Sequence, residues 1–229
     1  ELTIALLLCT NLPEDKIVWD VGHQSYVYKL LTGRREQFDH LREYGGLSGF
    51  PKTRESEYDA FNTGHSSTSI SAALGIAMAS QLEGKERTVI AVIGDGSLTG
   101  GLALEALNNA SKLKRNLIII LNDNNMSIAK NVGGLSTYLS GLRAGGRYND
   151  LKSSVAESLD RIPGVGQKMS RDIKKTKSSL KQLVVPGMLF ENMGITYLGP
   201  LNGHRISSMV RIIHEARNLD HPVDRKSVV

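Results

Sequence analysis

The chain has 229 residues, 40% of them hydrophobic and 22% charged, with 23 glycines and 6 prolines. That mix excludes a disordered, collagenous or coiled-coil protein, and at roughly 100–200 residues per domain it corresponds to one large domain or two small ones. The single cysteine, Cys9, excludes a disulfide framework and a multi-cysteine zinc site, while the net charge of +5 points to anionic partners such as phosphates, nucleic acid or acidic surfaces.

Leu2–Thr10 is short and apolar, and Asn11-Leu12-Pro13 breaks it. No apolar run reaches the roughly 18 residues that a transmembrane helix needs. No basic segment precedes Leu2–Leu8, as a signal peptide would require. The chain opens on Glu1 rather than Met, so the expectation is that its native amino end is missing. Ile17–Trp19 reads as a short buried strand running into the polar loop Asp20–Gln24. Tyr26–Leu31 looks helical and stops at Gly33. Residues 42–66 are rich in Gly, Ser, Thr and Pro and predict a long loop, a kind of segment that is often functional in compact domains. A helix over Ser67–Gln81 carries the small residues Ala72, Ala73, Gly75, Ala77 and Ala79, suited to close packing.

Thr88–Ile93 is a continuous apolar, largely β-branched run, as a central parallel strand requires. Gly94-Asp95-Gly96 ends it. Gly101–Leu113 predicts a helix, and Leu117–Leu121 a second buried strand ending in Asn122-Asp123-Asn124-Asn125. Strand, helix and strand with short links make a βαβ unit, hence a right-handed crossover and a parallel sheet covered on both faces. Residues 127–150 read as a mobile segment and 151–181 as helical and basic, so 127–185 is expected to be an insertion. Ile195–Leu198 predicts a further strand and Ile206–Asn218 an amphipathic helix. The fold class expected is α/β, a doubly wound, mostly parallel sheet with helices on both faces, in one domain over residues 1–223.

In open α/β sheets, ligands bind at the carboxyl ends of the strands, and the unusual residues of this chain fall there. The glycines of Gly94-Asp95-Gly96-Ser97 let backbone approach a phosphate, and the helix that follows points free N–H groups and its positive end toward it. A phosphate there would repel Asp95 unless a divalent cation lay between them. Mg²⁺ takes hard oxygen ligands and shares them between one or two protein groups and substrate phosphates. Asp95 offers a carboxylate, Asn124 an amide oxygen, and a backbone carbonyl near Met126 a third ligand. The residues alone thus predict a Mg²⁺–diphosphate site across two adjacent strand ends.

Gly-Asp-Gly by itself is a common turn. Paired with Asn-Asp-Asn after the next buried strand, it resembles the thiamine diphosphate signature of transketolase-like enzymes. Further segments occur in order: Trp19-Asp20-Val21-Gly22-His23-Gln24, Gly45–Pro51, Gly64-His65-Ser66-Ser67-Thr68-Ser69 and Gly199-Pro200-Leu201-Asn202-Gly203-His204. Together they resemble the 1-deoxy-D-xylulose-5-phosphate synthase family over nearly the whole chain. The resemblance implies a transferase that uses thiamine diphosphate and Mg²⁺ to condense pyruvate with glyceraldehyde 3-phosphate, releasing CO2, at the head of isoprenoid and thiamine biosynthesis. It implies a bacterial homodimer, and the single cysteine with no signal segment points to the cytoplasm. Residue by residue, it assigns Asp95, Asn124 and the Met126 carbonyl to Mg²⁺. It assigns Gly96, Ser97 and Asn124 to cofactor contacts, and the same holds for His23, Gly64, His65 and Ser66. His23 and His65 are the candidate catalytic groups, since imidazoles hydrogen-bond phosphates or carbonyls and move protons near neutral pH. The family usually has Asp where this chain has Asn202, and the turn around His204 reads as structural. His40, His214 and His221 have no supporting context.

Two other readings compete. Ile162-Pro163-Gly164-Val165-Gly166-Gln167-Lys168 resembles a helix-hairpin-helix DNA-binding turn, and seven basic residues face one acid between Arg161 and Lys181. A basic run of this kind is ordinarily a solvated helix face, no aromatic residues interleave for base stacking, and the synthase family carries a similar segment, so nucleic acid is not the expected partner. A non-catalytic nucleotide-binding domain would need a Rossmann or P-loop fingerprint, and neither is present. The resemblance further implies that the carboxylate acting on the cofactor's pyrimidine lies in a following domain, so the 229 residues alone are expected to be inactive. After Val223 the family continues into an apolar strand; Asp224-Arg225-Lys226-Ser227-Val228-Val229 is expected to be a non-native tail.

Overall fold

The computed structural model describes residues 1–113, 117–124, 134, 138–139, 188–219 and 223–228. Among them, β1 (Lys16–Trp19), β2 (Val89–Gly94), β3 (Leu117–Asp123), β4 (Thr196–Tyr197), β5 (Leu201–Asn202) and β6 (Val223–Val228) form one sheet. Its order is β1-β2-β3-β6-β4, with β5 also on β6, and every pairing is parallel. The helices are α1 (Leu2–Cys9), α2 (Tyr26–Lys29), α3 (Ser69–Leu82), α4 (Asp95–Leu98), α5 (Gly101–Ala110), α6 (Met188–Asn192) and α7 (Ile206–Arg217).

The sheet is apolar on both sides because its central strands are continuous apolar runs whose side chains alternate between two cores. Val89, Ala91 and Ile93 of β2, with Leu117, Ile119 and Leu121 of β3, face Ile70, Ala73 and Ala77 of α3 and Ala103, Leu107 and Ala110 of α5. Ile90 and Val92, with Ile118 and Ile120, face the other way, onto Ala5 and Leu6 of α1 and Met209 and Ile213 of α7. Each fully buried Ile or Leu contributes on the order of 1.5–3 kcal/mol. The alanines Ala73 and Ala77 bring α3 close to the sheet, whereas Gly75 and Ala79 face outward and do not take part in that packing.

Several elements differ from expectation at their ends. α3 begins two residues later than the sequence pattern predicts, and β3 runs on to Asp123. The glycine-rich turn after β2 holds an extra helical turn, α4. Ile195–Leu198 contributes only the two residues of β4. Residues 224–228, expected as a tail, lie in β6 between β3 and β4, in the register Ile118↔Val223 to Asp123↔Val228. The insertion expected at 127–185 lies outside the described residues apart from Gly134, Tyr138 and Leu139.

Residues 42–66 contain no helix or strand, as expected. Two buried ion pairs hold this long loop against the start of the fold. Lys29 Nζ donates to Glu55 Oε2 and to Ser48 O, each at 2.7 Å. Arg34 donates to both oxygens of Asp59 at 2.6 and 3.0 Å. Asp59 also accepts the Lys52 amide at 2.9 Å.

Candidate functional site

β1, β2 and β3 are neighbours and parallel, so their carboxyl ends open on one edge of the sheet. Gly94 pairs with Asn122, which sets Asp95 and Asp123 one step beyond the paired ends and Asn124 one step further. The sequence pattern therefore does bring Asp95 and Asn124 to adjacent strand ends. Asp95 opens α4 and is 4% exposed, while Asn124 follows β3 and is exposed. Gly96 and Ser97 lie in α4 and are half-buried. A Cβ at Gly94 would come no nearer than 4.0 Å to its closest neighbour, Asn122 O, and one at Gly64 or Gly101 would meet nothing within 4 Å. Backbone at this edge is open to a ligand. Among the described residues no group of three His, Cys, Asp or Glu could hold a metal. The donors expected here are instead one carboxylate, one amide oxygen and one backbone carbonyl, a hard-oxygen set that suits Mg²⁺ bound together with phosphates. Met126, the expected carbonyl donor, lies outside the described residues.

His23 lies in the turn after β1, and Gly64, His65 and Ser66 lie just before α3; all four are exposed. The His23 turn is tightly built. Val21 and Gly22 both have positive φ, 58° and 96°. A Cβ at Gly22 would lie 2.4 Å from Thr63 Oγ1 and 2.5 Å from Pro51 Cδ, so only glycine lets this turn sit against the 42–66 loop. Ser25 Oγ closes the turn by donating to Gly22 O at 2.6 Å.

The sequence pattern missed Asp20 and Ser67. Asp20 is buried at the end of β1, and its amide donates to Val92 O at 2.8 Å, continuing the ladder. Its carboxylate oxygens accept the amides of Ser67 and Ser69. Ser67 Oγ donates to Ser97 O at 2.6 Å. Read by itself, Asp20 is simply the start of a polar loop; its partners are 47 and 49 residues away, beyond any local spacing rule.

Asn202 Oδ1 accepts the His204 amide at 2.9 Å, which closes a local turn. His40 pairs with Glu43 on the surface. His214 lines a polar cavity of about 370 Å³ with Asp15, Arg87 and Arg217. Asp15 Oδ1 accepts the Thr88 amide, just before β2, so this cavity opens at the edge of the sheet opposite the candidate site. The basic segment 162–181 lies outside the described residues. No helix among the described residues is long and apolar enough to cross a membrane.

Comparison with known proteins agrees with the arrangement of these elements. A family described as 1-deoxy-D-xylulose-5-phosphate synthase matches residues 1–224. The chain is 56% identical over 223 residues to the 1-deoxy-D-xylulose-5-phosphate synthase of Lachnoclostridium phytofermentans, covering 97% of this chain and 36% of that protein. It is 54% identical over 223 residues to the same enzyme of Syntrophomonas wolfei, covering 97% and 35%. The chain thus spans about a third of the length of the curated relatives it matches. Among solved structures it is similar to transketolase from Campylobacter jejuni, with a TM-score of 0.67 at 20% identity over 99% of this chain and 32% of that one. A transketolase variant from Pichia stipitis gives a TM-score of 0.67 at 17% identity over 100% of this chain and 31% of that one. At such identities these two structures speak for the fold, an α/β domain with a parallel sheet.

Proposed function

Since the chain belongs to the 1-deoxy-D-xylulose-5-phosphate synthase family, we propose that the protein it forms part of is a transferase that condenses pyruvate with glyceraldehyde 3-phosphate. Pyruvate loses its carboxylate as CO2, and the remaining two-carbon unit bonds to the aldehyde carbon of the triose phosphate, giving 1-deoxy-D-xylulose 5-phosphate for isoprenoid and thiamine biosynthesis. The cofactors are thiamine diphosphate and Mg²⁺, and the enzyme is a cytoplasmic bacterial homodimer. When bound, thiamine diphosphate supplies the electron sink that decarboxylation needs.

The residues of this chain bind and orient. Asp95 and Asn124, with the Met126 carbonyl, hold Mg²⁺. Gly96 and Ser97 offer amide and hydroxyl donors to the diphosphate. Gly64, His65 and Ser66 line the same edge. His23 and His65 hydrogen-bond phosphate or carbonyl oxygens and carry protons at the reacting oxygen. The 229 residues hold part of the site and are expected to be inactive alone. The observation that carries this reading is the register Gly94↔Asn122 between adjacent parallel strands, which brings one acidic and one amide oxygen donor beside an open glycine turn.

Titration calorimetry of this chain with thiamine diphosphate and Mg²⁺ tests the site. Heat of binding is expected for the wild type and its loss for Asp95→Ala; equal heats would count against it. For the complete enzyme the expected activity is CO2 release from pyruvate that depends on glyceraldehyde 3-phosphate. Ketol transfer without decarboxylation would overturn the substrate assignment.

A further inference from the structure

The three turns at the carboxyl edge of the sheet are joined by one run of hydrogen bonds that begins at Asp20. The Asp20 carboxylate is 1% exposed, and its oxygens accept the Ser67 and Ser69 amides at 2.9 and 3.0 Å. The first turn of α3 is thereby capped from another element, while Thr68 at its own N-cap position makes no side-chain cap. The bond from Ser67 Oγ to Ser97 O carries the connection to α4, and the same carbonyl accepts the Gly100 amide at 3.2 Å.

Ser67 is an unexpected residue to find at this junction. Its φ is 68°, in the left-handed region where glycine is the default. Such conformations persist where the surroundings over-determine them, and they cluster at ligand-holding sites. Glycine would remove the strain but also the hydroxyl that reaches Ser97. The fit is close from the other side too, since a Cβ at Gly100 would lie 2.0 Å from Ser67 Oγ.

We propose that Asp20 and Ser67 are positioning residues that lock the His23 turn, the Gly64–Ser66 segment and the Gly96–Ser97 turn into one preset cradle for the cofactor diphosphate. What the cradle holds rests on the thiamine diphosphate reading above; the coupling of the three turns does not.

Affinity and stability separate this role from a merely structural one. In the complete enzyme, Asp20→Asn and Ser67→Ala are each expected to raise the Kd for Mg²⁺–thiamine diphosphate about tenfold, the loss of one good hydrogen bond's worth of alignment. Ser67→Gly relieves the left-handed strain, so its melting temperature rises above that of Ser67→Ala while its Kd stays as weak. Gly100→Ala keeps every functional group and suits the backbone at φ −72° and ψ 142°, yet displaces Ser67 and weakens binding likewise. Wild-type affinity in Asp20→Asn and Ser67→Ala, or recovery of affinity together with stability in Ser67→Gly, would overturn the proposal. Hydrogen exchange on this 229-residue chain, without cofactor, tests the coupling directly. Asp20→Asn is expected to speed exchange at Gly100 as well as at Ser67 and Ser69, and unchanged exchange at Gly100 would overturn it. A wild-type enzyme that binds no thiamine diphosphate would instead sink the functional reading, with the exchange result deciding the coupling.

Discussion

Tyr28 shows how much one side chain's behaviour depends on what surrounds it. Its ring is buried with a centroid 5.6 Å from that of Trp19, and its hydroxyl donates to Tyr58 O at 2.7 Å. Burial, and after it the nearby Asp59 carboxylate, push the phenol's pKa above the usual tyrosine range, with the Arg34 guanidinium pulling the other way. The raised value means the fold favours the neutral phenol. That contribution is fully present below the unfolded pKa of about 10 and is lost as pH rises above it, because the unfolded chain ionises first. Tyr28→Phe is expected to lose about 1 kcal/mol at neutral pH with its hydrogen bond. Urea unfolding between about pH 9 and 11 should show a shallower alkaline decline for Tyr28→Phe than for the wild type; parallel declines would refute the assignment. Single residues also mark the limit of sequence reading at the site. Asp95 and Asn124 stand out because each lies at the end of a recognisable strand, and His23 because it lies in the turn after one. Asp20 and Ser67 do not stand out, since the amides that the Asp20 carboxylate accepts lie 47 and 49 residues along the chain.

Among the elements, the strands were the most legible. β2 and β3 are uninterrupted apolar runs, and a parallel strand buried on both faces needs nothing else. The 42–66 loop was legible as a loop, but what holds it was not. Arg34 and Asp59 are both buried, and their two-pronged pair is the main polar anchor of that loop. Arg34→Met leaves the Asp59 carboxylate buried with its guanidinium gone, at a loss of about 3–5 kcal/mol. Thermal unfolding should show that loss, and limited proteolysis should show faster cleavage within 42–66. Arg34→Met combined with Asp59→Leu should lose less than Arg34→Met alone, because no stranded charge remains; a fully additive loss would argue against the buried pair. β6 is the opposite case. Val-Asp-Arg-Lys-Ser-Val does not read as an interior parallel strand, and it extends between β3 and β4 because backbone groups of both neighbours are available there to pair with it.

At the scale of the whole molecule, the described residues expose apolar surface beyond what the core uses. α3 is apolar nearly all round, with Ala73 and Ala77 against the sheet but Met78 52% and Leu82 89% exposed on its outer side. An exposed apolar helix face of that kind is a surface suited to protein contact. The isolated chain is therefore expected to self-associate at micromolar concentration, and Met78→Glu with Leu82→Glu to shift it toward monomer in light scattering. A monodisperse wild-type monomer would contradict this.

The division between sequence and tertiary structure follows from the range of the forces involved. The apolar runs, the glycine breaks after them and the acidic and amide residues beyond those breaks are local patterns, so the α/β class, the parallel βαβ core and the candidate residues Asp95 and Asn124 could be read from the sequence. The partners of Asp20, Ser67, Lys29 and Arg34 are set by which loops the fold brings together. Hydrogen bonds and buried ion pairs form between atoms close in space whatever their separation along the chain, and no spacing rule in one dimension encodes that proximity.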